Sequence, residues 1–479
     1  MIKMIKSKLF SVIAAGALLS ALLLFSGCAT TPAASETETL DAPEKTITES
    51  KKEPEDPPNV KFVKQLQTLL NKGDTKGAIE HFASIPSDLK DDIELKNLLG
   101  ALYYSDGQYD NAIATAEEIL VIEPANMDAL ELISMCNKAK GDRKAYKEFS
   151  DRILAVDPYN ASVNIQKAEE YVLSKKYKLA RDSYKKALRG DPDNTDALFG
   201  YAQMCYYTDD VKTAGENFQK ILDKDPENAA ALAYMGKLAY DDENYLRATK
   251  FVQEALKQDP TNYDYWMDYG TYLRYQGKFD DAAKAWIKAT QLDPSYFLAY
   301  AYLAGNYDDL EQWDAALENY HKVIETNPKY FYAYESTAIL EYRARNYENA
   351  IKYFTKTYEF SPSYSYALMI AACYYKLNKP QEAKKILAAQ LKKLDTNSTE
   401  YALVRFYNDN YNRNAESNLV QKVTKEGNSN NRGKMLFYLG LYYELNNADV
   451  LAKEYYAKVT NLKAPMFFEY RIAEWGLMQ

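Results

Sequence analysis

Residues 263–296 read YDYWMDYGTYLRYQGKFDDAAKAWIKATQLDPSY. In each half of this stretch the apolar residues recur at intervals of three and four, as an amphipathic helix requires. Asp293-Pro294 then ends it, because proline cannot continue a helix and disfavours helix in the residue before it. The same proline returns along the chain as Pro124, Pro158, Pro192, Pro226, Pro260, Pro294, Pro328 and Pro362, each step thirty-four residues. Eight of the sixteen prolines thus sit on one ladder, each preceded by Asp, Asn, Glu or Ser. The unit of the fold is a pair of helices, repeated.

With the proline counted as position 32, repeats begin at Ile93, Met127, Ala161, Thr195, Ala229, Tyr263, Phe297, Phe331 and Ser365. Position 8 is always small: Gly100, Ser134, Ala168, Ala202, Gly236, Gly270, Ala304, Ala338, Ala372. Position 20 is alanine in seven repeats: Ala112, Ala180, Ala214, Ala248, Ala282, Ala316 and Ala350. Two helices approach closely only where neither carries a large side chain, so these positions predict a seam. Large residues surround it, mostly aromatic at position 17 (Tyr177, Tyr245, Phe279, Trp313) and mostly large at position 24 (Tyr184, Phe218, Trp286, Tyr320, Phe354).

This pattern resembles the tetratricopeptide repeat family, and residues 263–296 fit it best through Trp266, Tyr269-Gly270, Ala282, Trp286, Ala289 and Pro294. The resemblance implies an all-α fold, a right-handed superhelical solenoid of about twelve antiparallel helix hairpins. Two repeats depart from it. Ala145 and Ala383 each fall one place early, which predicts hairpins with altered turns. The array is expected over 59–396, where residues 59–86 carry Ala78 and Phe82 at the right separation. Residues 397–479 read as divergent repeats of the same kind, with Leu436, Leu439-Gly440, Tyr443, Ala452, Tyr456 and Pro465. The last thirteen residues but one (MFFEYRIAEWGLM, 466–478) read as a helix covering the final exposed face.

Residues 1–27 have the parts of an export signal: Lys3, Lys6 and Lys8, an apolar run from Phe10 to Phe25, then Ser26-Gly27 before Cys28. The run is short for a transmembrane span. Small residues before a cysteine resemble the lipobox of bacterial lipoproteins, with Phe25 where that family has leucine and Leu24 one place earlier. The resemblance implies a lipid-modified, palmitate-bearing Cys28 as the new N-terminus, a membrane anchor and a place in the bacterial cell envelope. Ala29 after the cysteine resembles an outer-membrane sorting signal, facing the periplasm; the outer face of the plasma membrane is the alternative. Residues 28–58 form an acidic Thr/Glu/Pro linker, with eight carboxylates against three lysines after Cys28, too poor in apolar residues to fold. Such a tether spans roughly 30 Å.

Nothing in the composition points to catalysis. The formal charge of −9 and the lack of a basic stripe argue against nucleic-acid binding. The two histidines, His81 and His321, have no ligand-spaced partner, and no phosphate loop, nucleophile elbow or zinc motif appears. Cys136, Cys205 and Cys373 match no metal spacing and read as small buried residues. Acidic turns such as Asp209-Asp210 and Asp280-Asp281 have the oxygens for a divalent cation, but capping and solubility account for them. Neither an enzyme, a cofactor nor a metal is expected.

The family binds its partners on the concave face built by the first helix of each repeat, and the resemblance places positions 2, 5, 9 and 12 there. Position 12 offers Tyr104, Tyr206, Tyr240 and Tyr342; position 5 offers Phe199 and Met267. These six are the candidate binding face. Apolar and aromatic, they suit an extended peptide or helix of another envelope protein. The function expected is therefore a membrane-anchored adaptor; the alternative is a ligand-handling module beside a transporter, enclosing an apolar small molecule.

Overall fold

The computed structural model describes residues 56–409, 413–463 and 465–478, so the signal-like segment, Cys28 and most of the tether lie outside the described residues. Those residues form twenty-five helices and no strand, twelve successive pairs and one last helix, Glu469–Met478. The fold is all-α, as expected. The chain divides into two compact units, one ending at Asn217 and one beginning at Phe218.

Two devices fix each hairpin. Within the pair, one residue adopts the left-handed conformation: Gly73, Gly107, Gly141, Lys175, Asp209, Glu243, Gly277, Glu311 and Arg345, again thirty-four apart. The amide after it reaches back to the carbonyl five residues earlier, as from Gln108 to Tyr103 (2.8 Å) and from Lys278 to Leu273 (3.0 Å). This is the Schellman closure, for which glycine is preferred. Between pairs, an asparagine caps the incoming helix. Asn126, Asn160, Asn194, Asn228 and Asn262 each accept the amide of the third helical residue at 3.0–3.3 Å.

The seam is where the sequence places it. The alanines at positions 8 and 20 are fully buried, and Trp286, Phe218 and Phe354 at position 24 are too. A side chain on Gly270 would lie 2.5 Å from the Trp286 indole, and one on Gly200 would lie 2.3 Å from the Tyr184 ring. These glycines are there for want of room, and the ring of one helix rests on the bare backbone of the other.

The two departing repeats differ from each other. In the repeat beginning at Met127 the turn is regular, with Gly141 in the left-handed place. Tyr146 takes position 20, and the space is found by Ser134 and Ser150, whose hydroxyls face each other at 3.4 Å. The expectation of an altered turn is corrected here: serine at positions 8 and 24 offsets the missing alanine. In the last regular repeat the turn is shorter by one residue. Asn378 is left-handed, one place before the ladder position, and Pro380 opens the second helix.

Within the first unit the core is a chain of small clusters, each joining neighbouring hairpins, such as that of Ala116, Ile119, Ala129 and Ile133. The second unit ends differently. From Ala338 to Ala473 one continuous core forms, and helix Tyr364–Lys376 lies inside it with Ser365 through Cys373 all buried. A helix buried on every face is apolar on every face.

Candidate protein-binding face

Positions 2, 5, 9, 12 and 13 fall on one stripe of a helix, because they are three or four residues apart or adjacent across the stripe. In the first unit this stripe stays open. Met135 is 46% exposed, Leu173 86% and Tyr207 49%. Ile165, Val172, Phe199 and Tyr206 lie half-buried on the same stripe. Tyr207 is held by Tyr177 of the preceding repeat, stacked at 5.2 Å, and meets Tyr206 edge-on at 5.7 Å. Tyr104 is half-buried against Tyr109 at 5.6 Å, and burial raises its hydroxyl above the ordinary tyrosine value. Carboxylates stand on the same stripe: Glu94, Asp128 and Asp196 at position 2 and Glu169 at position 9 are exposed. The result is a strip of apolar side chains with carboxylates interspersed.

In the second unit several of the same positions are packed away, although Tyr275 (54%) and Tyr332 (64%) stay exposed on the stripe. Tyr240 packs among Tyr245, Tyr272 and Tyr275, at 5.1–5.7 Å between ring centroids. Burial and the Tyr275 hydroxyl push its own hydroxyl well up. Met267 and Tyr342 are each only 9% exposed. Met267 belongs to the cluster around Trp286 and Leu303. Tyr342 sits in the large terminal core beside Tyr347 and Cys373. Their expected place on an accessible face is therefore corrected: packing within the array takes Met267, and the closing of the C-terminal hairpins takes Tyr342.

What closes over the last repeats, from Asp308 onward, is the end of the chain. Lys376, at position 12 of its repeat, pairs with Glu444 at 2.6 Å, and Tyr438 donates to the Ser365 carbonyl at 2.8 Å. Phe468 stacks on Tyr366 at 5.6 Å, with the rings 6° from parallel. Arg471 makes a two-pronged bond with Asp308, 2.6 Å on each side, and lies over the rings of Trp313 and Trp475. A signal for this closure was present in the sequence. Position 2 changes from Glu94, Asp128, Asp196 and Asp264 to Leu298, Tyr332 and Tyr366, of which Tyr366 is covered by Phe468 while Tyr332 stays exposed.

The remaining candidates have structural roles. His81 stacks on Phe62 at 4.6 Å and bonds to its carbonyl, and His321 stacks on Tyr353. Cys136, Cys205 and Cys373 are buried and free; burial raises each thiol, that of Cys136 to about 11. Asp209 is a left-handed turn residue and Asp210 borders the next helix, its carboxylate 3.4 Å from the Thr213 amide. Among the described residues no group of three or more His, Cys, Asp or Glu is placed to hold a metal, and no helix is long and apolar enough to cross a membrane.

Family models of the tetratricopeptide repeat match residues 161–194, 303–365 and 341–405. A model of the ChAPs (Chs5p-Arf1p-binding proteins) matches residues 194–333. Among solved structures, MamA is 26% identical over 33% of this chain and 93% of its own, with a TM-score of 0.32. YrrB, described as a TPR protein with an unusual peptide-binding site, is 21% identical over 41% of this chain and 97% of its own, TM-score 0.32. The C-terminal part of a TPR repeat-containing protein from Cytophaga hutchinsonii is 14% identical over 56% of this chain and 96% of its own, TM-score 0.36. No curated protein matches the sequence.

Proposed function

We propose that this array of tetratricopeptide repeats is a protein-binding adaptor, tethered through Cys28 to a membrane of the bacterial envelope. The observation that carries the reading is the open strip of the first unit, where Met135, Leu173 and Tyr207 stand at the surface in line with Phe199 and Tyr206. Water-exposed apolar side chains interspersed with carboxylates suit a protein segment that carries both apolar anchors and lysine or arginine. Rigid tyrosine rings give contact area at small entropic cost. The acidic composition of residues 28–58 supports the same reading, since a linker poor in apolar residues suits a tether that holds a bound partner near a membrane.

A photo-crosslinking residue at position 173, in cells of the source organism, tests the site. The expected result is a discrete protein adduct that is lost when Phe199 and Tyr206 are both changed to Ala. An adduct pattern matching that of a crosslinker at Lys178, off the strip, overturns it. The anchor is tested separately: Cys28→Ala should move the protein from the membrane to the soluble fraction, and retention in the membrane overturns that part alone.

A further inference from the structure

The whole-chain charge of −9 hides one basic stripe, and the structure corrects the expectation that there is none. Residues 175–190 (KKYKLARDSYKKALRG) carry seven lysines and arginines against one carboxylate, Asp182. They form the turn and the second helix, Tyr177–Gly190, of the fourth hairpin. Ala180, Ser183, Tyr184 and Ala187 take the buried face of that helix. Lys178, Asp182, Lys185 and Arg189 follow at i, i+4, i+7 and i+11 and stand exposed on the opposite face, with Lys186 beside them. The neighbouring second helices pair their own charges, Lys147 with Asp151 at 3.1 Å and Lys212 with Glu216 at 4.0 Å. Among the described residues this helix pairs only Arg181, with Asp210 at 3.9 Å, and Lys178, Lys185 and Lys186 make no ion pair. Like charges gathered without a counter-charge repel one another, and a bound polyanion removes that repulsion.

The chain holds a polyanion of matching length. Residues 36–49 (ETETLDAPEKTITE) carry five carboxylates against one lysine. Reach is set from Asp56, which pairs with Lys64 at 2.6 Å. The acidic stretch lies seven to twenty residues before Asp56, a contour of roughly 24 to 68 Å. The stripe is three hairpins further on, which at about 10 Å for each packed layer is roughly 30 Å. Both belong to the first unit. Leu179, 47% exposed beside the stripe, matches the two aliphatic residues of the stretch, Leu40 and Ile47. A covalently linked segment meets its site at a millimolar effective concentration, so a contact too weak to hold a free peptide is still filled.

We infer that residues 36–49 dock along the outer face of helix Tyr177–Gly190, carboxylate to lysine, as a strap held by charge. The strap leaves the first-helix strip uncovered. It needs no lipid, but where it meets the anchor reading it adds an orientation. Cys28 lies eight residues before the strap, so a lipid there leaves the protein on the side of the second helices. High salt or a competing polyanion releases the strap and restores the full length of the tether.

The test uses residues 28–479 with Cys28→Ser, which carry no lipid, so its outcome stands apart from that of the anchor. A photo-crosslinking residue replaces Asp182, and crosslinks are mapped by mass spectrometry. An equal mixture with isotope-labelled protein separates links within a molecule from links between molecules. Links within the molecule to residues 36–49 are expected at about 20 mM salt, and at least fivefold fewer at about 500 mM, where charges are screened within a few ångströms. Lys178→Glu, Lys185→Glu and Lys186→Glu together should lower them at least fivefold. Adding Glu36→Lys, Glu38→Lys, Asp41→Lys and Glu44→Lys to that protein should restore them, which a loss of folding would not allow. Links that ignore salt and both sets of substitutions overturn the inference, as does a crosslinker that reaches other residues but not 36–49. So does a chain without these links that sediments with phosphatidylglycerol vesicles and loses that binding with the three Glu substitutions, because the stripe is then a lipid surface.

Discussion

Five first helices, from Met127 to Tyr263, are preceded by asparagine; the next two are preceded by Tyr296 and Tyr330. The asparagines cap, and the tyrosines do not. Instead Tyr296 meets Tyr263 and Tyr330 meets Phe297, each at 5.1 Å. A cap contributes about 1 kcal/mol and an aromatic pair about 0.5–1.5 kcal/mol beyond its burial. The exchange therefore leaves the hairpin about as stable while changing what its edge attracts. In the capped repeats of the first unit the edge is polar and the first-helix stripe stays open, with carboxylates standing on it. In the late repeats the edge is aromatic, and the chain's own end packs on Asp308, Trp313 and Arg343 of the same repeats. One scaffold supports both, because the seam and turn that build the hairpin lie elsewhere in the repeat.

The sharpest way to break this comparison is to remove a charge from each region. Arg471→Ala leaves Asp308 buried without its partner, and losing one member of a largely buried pair costs about 3 kcal/mol. All four tryptophans, Trp266, Trp286, Trp313 and Trp475, lie after Phe218, so tryptophan fluorescence in urea reports this unit. Lys140→Ala in the first unit removes an exposed pair with Asp110, which is expected to leave stability nearly unchanged. Circular dichroism reads that variant. If the two costs come out equal, the late repeats are no more closed than the early ones.

Close helix packing should behave alike in both regions. Gly270→Ala drives a methyl against the Trp286 indole, and Gly200→Ala drives one into the Tyr184 ring. Each is expected to lose about 2 kcal/mol of stability in thermal unfolding, as overpacked sites do. Gly236→Ala, where the nearest atom is the Ala248 carbonyl oxygen at 3.4 Å, should change stability by less than about 0.5 kcal/mol.

The seam was legible because its residue types are constrained at every turn of the period. The ladder of left-handed residues was half hidden. Gly73, Gly107, Gly141 and Gly277 stand on it, but Lys175, Glu243, Glu311 and Arg345 carry no local mark of that conformation. The Schellman bond and the packing of the pair impose it on them. Of the binding face, Phe199, Tyr206 and Tyr104 lie half-buried on the open unit's stripe, whereas Met267 and Tyr342 are buried. Periodicity says which way a side chain points from its helix. It carries no information on a segment returning from 163 residues away, and that return is what distinguishes the late repeats.

Buried carboxylates sharpen the same contrast. Tyr438 has one hydroxyl proton and two acceptors near it, the Ser365 carbonyl at 2.8 Å and the Glu469 carboxyl at 3.0 Å. With that proton on the carbonyl, Glu469 completes the contact only by donating a proton of its own. Burial raises its carboxyl above the ordinary value near 4.5, against the opposing hydroxyls and Lys434. A raised acid favours folding when protonated, so its contribution is full below pH 4.5 and is lost as pH rises through the folded value. Glu469→Gln should therefore gain about 1 kcal/mol at pH 7.5, read by tryptophan fluorescence in urea, and the gain should vanish below pH 4.5. A gain that persists at low pH would assign it to packing and not to charge.

The smallest effects test the exchange of cap for ring. Asn194→Ala removes the acceptor for the Ala197 amide, 3.0 Å away, and leaves that amide to water. The expected loss is about 1 kcal/mol. Hydrogen exchange should show it locally, as faster exchange at Ala197 with little change at helices further along. Tyr330→Asn runs the other way. It restores an acceptor before helix Phe331–Arg343 and removes ring contacts with Phe297 and Tyr332. The two terms nearly cancel, so stability should move by less than about 0.5 kcal/mol. The amide at Ala333, which now takes the Tyr330 carbonyl at 3.2 Å, should become more protected as the asparagine side chain engages it. A Tyr330→Asn loss as large as that of Arg471→Ala would mean that the aromatic edge holds the late repeats together, and that it is no substitute for a cap but a part of the core.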